Sequence, residues 1–169
     1  MTELARVDAE TDGRHDFDFF IGSWDSQQRK LRQVLAGCDE WVEFSGASVA
    51  YTILDGLGHF DEVTLEAPGQ RVVGATVRLF DPQTRLWRLY WSSTTQHEFG
   101  APQVGRFEDG RGEFYAHEVY QGRPIFCRYL WISSGPDSCH WEQAFSVDAG
   151  RTWETNWIAD FHRHVSTIE

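Results

Sequence analysis

The chain has 169 residues, enough for one domain with a working core and too few for two of ordinary size. Its 15 Lys plus Arg stand against 26 Asp plus Glu, a net charge of −11, which repels phosphate backbones and anionic bilayers. Neither nucleic acid nor a membrane is therefore expected as a partner. The opening MTELARVDAETDGRH is mixed in charge and lacks the apolar core of a signal peptide, and no later run approaches the ~18 apolar residues of a membrane span. A cytoplasmic location is the expectation. Cys38, Cys127 and Cys139 are an odd number without a CxxC spacing, which predicts buried free thiols and neither a disulfide framework nor a zinc ribbon.

Residues 1–15 are polar and read as a flexible N-terminus. In HDFDFFIG, Phe17, Phe20 and Ile21 fall at i, i+3 and i+4, one turn of helix with an apolar side, closed by Gly22. From Trp24 onward the chain becomes β-branched and aromatic runs, predicting strands over 24–35, 40–53, 62–66, 72–80, 86–93, 104–108, 112–120, 125–132, 139–147 and 152–162. The connections APGQ, DPQT, EDGR, QGRP, SGPD and DAGR place Gly or Pro where tight turns need an unusual or fixed φ. None reaches the roughly dozen-residue crossover that parallel strands require. An antiparallel meander follows. Closing it into an up-and-down barrel of 8–10 strands, capped by the short helix, hides both edges over residues 16–169; a β-sandwich is the second choice. The longest loop, TTQHEFGAPQ, is the one placed to act as a lid.

Gly22-Ser23-Trp24, preceded by its apolar turn, resembles the G-x-W signature of the calycin superfamily, the lipocalins and their relatives. The resemblance implies that Trp24 plugs the closed end of a barrel against an arginine of the last strand, for which Arg163 stands in place. Strand parity agrees. Trp153, Thr155, Trp157, Ala159, Phe161 and Arg163 share one face, read as the interior, and a cation stacked on Trp24 would gain ~0.5 to 2 kcal/mol. Ser146-Val147-Asp148-Ala149-Gly150-Arg151-Thr152-Trp153 matches the fixed positions of the Asp-box familiar from sialidases, in which the aspartate accepts hydrogen bonds from a turn. This makes Asp148 a structural residue of the last hairpin without implying glycosidase chemistry. FDFFIGSW, GCDEWVEF, LFDPQTRLWRLYW, GRFEDGRGEFY and WEQAFSVDAGRTWETNW together look like a bacterial family of calycin-like barrels of unknown function. More distantly, the chain is similar to the nitrobindin barrels, which hold haem through a histidine late in the chain.

The first strand is polar on both faces: Trp24, Ser26, Gln28, Lys30 and Arg32 on one, Asp25, Gln27, Arg29, Leu31 and Gln33 on the other. That predicts an inner wall meeting water or a polar ligand, unless the strand lies at a bulged edge. Aromatic content of 15%, with eight tryptophans, exceeds the needs of a simple core and would suit a planar organic ligand or an outer-face homodimer contact. Trp87, Trp91, Trp131, Gln28, Gln143 and Trp157 are the candidate ligand-binding residues of a small hydrophobic or aromatic molecule. As an alternative, a cofactor-free enzyme of isomerase, cyclase or decarboxylase type would use His117 or Glu118 with Tyr115 or Tyr129 as acid and base, since one of His117 and Glu118 must face inward. A barrel filled by its own side chains, acting only as an interaction module, is the third reading. No cofactor and no metal is expected: His162 and His164 could chelate at i, i+2, but the parity that turns Arg163 inward turns both outward. Haem ranks below both readings for the same reason.

Overall fold

The computed structural model describes residues 12–166. Ten antiparallel strands follow one another, β1 (Gly22–Leu31), β2 (Trp41–Ile53), β3 (Gly58–Ala67), β4 (Gln70–Asp81), β5 (Leu86–Ser93), β6 (Gln103–Glu108), β7 (Arg111–Tyr120), β8 (Arg123–Ser133), β9 (Ser138–Ser146) and β10 (Glu154–Arg163). Each pairs with its neighbours, and β10 returns to β1 to close the barrel. Every expected strand is present. The expected N-terminal helix is a lone 3-10 turn, Asp18–Phe20, because Gly22 and the start of β1 leave no length for an α-turn. Of the stretch expected to be flexible, residues 1–11 lie outside the described residues, while Gly13 supplies a carbonyl that accepts from Trp87 Nε1 at 3.0 Å.

One end of the barrel is solid. Phe17, Phe20, Trp24, Trp87, Phe114, Trp131 and Phe161 are buried and meet in stacked or edge-to-face pairs. Among these rings lies Arg78, its guanidinium 5.0 Å from the Phe17 ring and 5.3 Å from Trp131, ion-paired to the equally buried Asp61. Trp24 donates to the Phe20 carbonyl at 2.9 Å, and the Arg163 guanidinium covers its other face at 4.3 Å. Arg163 also donates to the carbonyls of Ile21 (2.8 Å), Phe19 (3.1 Å) and Pro136 (2.9 Å), tying the 3-10 turn and the β8–β9 loop to the last strand. Gly22 is required there: its φ is +117°, and a Cβ would lie 2.7 Å from Arg163 Nη1.

The parity expected for the last strand holds from Trp157 to Arg163 and fails before it. A bulge between Thr155 and Trp157 buries Asn156 completely and reverses the faces of the preceding residues. Trp153 therefore packs on the outer surface, between the Arg128 guanidinium at 4.7 Å and the Tyr115 ring at 6.0 Å.

Candidate functional site

The opposite end carries the β1–β2, β3–β4, β5–β6, β7–β8 and β9–β10 loops, and its inward side chains are aromatic and less completely buried than those of the solid end. Trp91 (β5), Tyr129 (β8), Trp141 and Gln143 (β9) and Trp157 (β10) share the inward faces of their strands with buried residues yet stay only partly buried themselves. Trp141 stands 5.5 Å from Trp157 and 5.2 Å from Tyr129 along one side, while Trp91, from the opposite side of the barrel, reaches across the lumen to meet Trp157 edge-on at 6.4 Å. Trp91 lies against the backbone of Gly74 on β4, where any side chain would overlap its ring. Beside it the barrel wall parts, since β6 pairs with β5 only from Trp87 to Leu89.

The polar first strand contributes the hydrogen-bonded side of this chamber. Gln28 accepts from Trp157 Nε1 at 2.8 Å and donates to Ser26 at 2.8 Å, and both polar residues are 3% exposed. The expectation that this face meets water is thereby corrected at Ser26 and Gln28, whose partners are protein groups. Lys30, the sole lysine of the chain, is exposed at the rim with its ammonium 4.5 Å over the Trp157 ring, where partial desolvation lowers its pKa. The β1–β2 loop bends over the rim, placing Val34 and Leu35 against the buried Ile125, Cys127 and Phe145; Leu35 N donates to Glu154 Oε1 at 2.7 Å.

A second polar group faces the chamber from β6 and β7. Gln103 Nε2 donates to Glu118 Oε1 at 2.7 Å, and burial raises the pKa of Glu118, against the effect of that hydrogen bond. Cys127 and Tyr129 adjoin it; desolvation and then the Glu118 charge push the thiol pKa well up, which keeps it protonated, and burial raises the phenol as well. Gln103 is 2% exposed, and its Oε1 has no hydrogen-bond partner.

The candidate residues thus divide. Gln28, Trp91, Gln143, Trp157, Glu118 and Tyr129 face the open half. Trp87 and Trp131 face inward but belong to the solid end, where they are packed on Phe17. His117 and Tyr115 face outward, His117 on the Phe126 ring at 4.2 Å and Tyr115 donating to Glu113 at 2.7 Å, so neither adjoins Glu118. Asp148 accepts from Thr152 Oγ1 (2.6 Å), Ser146 Oγ (2.8 Å) and two backbone amides of its turn. His162 is exposed on the outer face, and His164 pairs with Asp25 at 2.7 Å. Among the described residues no cluster of three or more His, Cys, Asp or Glu is arranged to hold a metal ion. Sequence reasoning missed Trp141, Lys30 and Gln103 as lining residues. Trp141 shares the parity of Gln143 and could have been found; Gln103 was lost because the predicted strand began one residue later.

An exterior groove of ≈ 480 Å³, lined by Asp16, Arg85, Arg106 and Glu108 among others, lies near the solid end. Its charges are mixed and solvated, and the aromatic chamber is the better organised site.

The described residues form a closed, ten-stranded up-and-down barrel plugged at one end by a G-x-W tryptophan under an arginine, a calycin-like fold. The chain matches no family model and no curated protein sequence. Among solved structures it is similar to the S-type phycobiliprotein lyase CPES from Guillardia theta, with a TM-score of 0.63 and 14% identity over 94% of this chain and 98% of that one. At that identity the likeness carries the fold and no chemistry.

Proposed function

We propose that the chain binds a small, planar, partly aromatic organic molecule in the open half of its barrel. The observation that carries this is the wall of Trp91, Trp141, Trp157 and Tyr129, turned inward and left incompletely covered. Exposed indoles inside a barrel forgo burial that a flat ligand would restore, at about 25 cal/mol per Å². The likeness to the phycobiliprotein lyase supports the frame, and the choice of ligand class rests on the side chains. Native mass spectrometry of the protein from its own host tests the reading. A co-purifying small molecule, lost in Trp157→Ala, is expected; a protein that is ligand-free and also fails to bind planar aromatic compounds would overturn the reading.

A second reading, cofactor-free acid–base chemistry, draws on one observation: Glu118 is an inward carboxyl with a raised pKa beside Tyr129. It rests on these two residues alone, since His117 and Tyr115 face away. A molecule that leaves the wild-type protein chromatographically altered, and leaves Glu118→Gln unaltered, would favour catalysis. Haem has little to recommend it: the strand histidines His117, His140 and His162 lie on the outer face, and the inward His59 is packed in the solid end against Phe17 and Trp87, with its Nε2 3.1 Å from Asp18.

A further inference from the structure

The polar floor beside the aromatic wall has a chemical sense of its own. Gln103 spends its amide nitrogen on Glu118 and turns toward the Cys127 thiol, which leaves its oxygen buried without a partner. A buried acceptor in that state costs about 1–3 kcal/mol, which only an incoming donor relieves. Glu118 itself has no cationic partner among the described residues, unlike Asp61, which is matched to Arg78. The two residues belong to adjoining strands and both turn inward, Gln103 enclosed with its oxygen and Glu118 partly buried, so a ligand reaches the Gln103 oxygen by displacing the side chains that cover it. Aromatic rings attract cations over their faces, and the Lys30 ammonium over Trp157 already uses that property at the rim. The net charge of −11 adds a long-range field of the same sense.

We infer that the open half selects a planar organic cation carrying paired N–H donors, of the amidinium or protonated amino-heterocycle class, with Gln103 Oε1 and the Glu118 carboxylate as its two acceptors. The inference rests on the proposed aromatic-ligand reading and adds the charge and the donor pattern. Lys30 opposes a cation only near the mouth, where its long side chain is exposed and free to turn into solvent. The groups that face Glu118 from the neighbouring strands are Gln103 on β6 and Cys127 and Tyr129 on β8, and both of the latter stay protonated near neutrality.

Three probes of one shape decide the matter: 2-naphthamidine (a cation), 2-naphthamide (neutral) and 2-naphthoate (an anion), titrated calorimetrically against the wild type and Glu118→Gln. The expected result is that the amidinium binds roughly tenfold tighter than the amide and that Glu118→Gln, nearly isosteric, abolishes this preference by bringing the two affinities together. In the wild type the amidinium affinity should rise with pH as Glu118 ionises, and that slope should vanish in the variant. A preference for naphthoate would overturn the inference, meaning that Glu118 is protonated and Lys30 is the anchor. An amidinium preference untouched by Glu118→Gln would overturn it too. If the amide binds without any cation preference, this inference fails and the aromatic-ligand reading stands; if none of the three binds, both fall.

Discussion

Gly74 and Trp24 show how single residues divide the barrel into a chamber and a plug. Gly74 lets the Trp91 ring lie flat on β4, and a Cβ there would overlap the ring itself. Gly74→Ala should therefore displace Trp91 and weaken binding of 2-naphthamide by about tenfold, the loss of one good aromatic contact. Fluorescence titration would read this, and unchanged affinity would remove Trp91 from the site. Trp24 is enclosed between the stacked Phe20 ring, itself edge-on to Phe161, and the Arg163 guanidinium. Trp24→Ala should cost ~3–5 kcal/mol in urea unfolding, the scale for a buried aromatic, whereas a near-native midpoint would contradict its role as a plug.

At the scale of elements, the β9–β10 hairpin carries two opposite pH dependences. Hydrogen bonds from Thr152 and then Ser146 hold the Asp148 carboxyl down to about 2. Its folded pKa lies below the unfolded one, so this contribution is present above about pH 4 and is lost as pH falls toward 2. Asp148→Asn should flatten that part of the stability profile between pH 5 and 2. On the outer face, desolvation lowers the pKa of His140, but its hydrogen bonds to Asp160 (2.6 Å) and Glu142 (2.9 Å) outweigh it and the pKa is raised. That stabilisation is complete below the ordinary histidine value of ~6.5 and is lost as pH rises through the folded value. His140→Gln should remove the decline above pH 6.5, measured by thermal midpoints at constant ionic strength. At the mouth, the β1–β2 loop is held by the bond from Leu35 N to Glu154; Glu154→Ala should speed both association and release of 2-naphthamide in stopped-flow fluorescence.

For the whole molecule, what could be read in advance followed from chain-local signals. Turn residues at short intervals dictate a meander, G-x-W with Arg163 names the plugged end, and the Asp-box sets the last hairpin. What could not be read depends on register. The bulge at Asn156 reverses Trp153, no period announces it, and it is anchored by a hydrogen bond from Gln143 that forms only once β9 and β10 are aligned. The Gln103–Glu118 pair joins residues on successive strands whose facing is fixed by the pairing of Val104 with Tyr115. Arg78 and Asp61 lie on strands that otherwise alternate normally, and only closure of the barrel reveals that both point into an aromatic core. Glu118 was one of two alternatives on its strand, and pairing chose it over His117.

The central claim is that the open half of the barrel is a binding chamber. A crystal structure of the protein saturated with 2-naphthamidine tests it most directly. Density for the naphthyl ring is expected among Trp91, Trp141 and Trp157, with the amidinium nitrogens at Gln103 and Glu118; density in the exterior groove beside Asp16 and Arg85, with the barrel interior unchanged, would rule the binding chamber out.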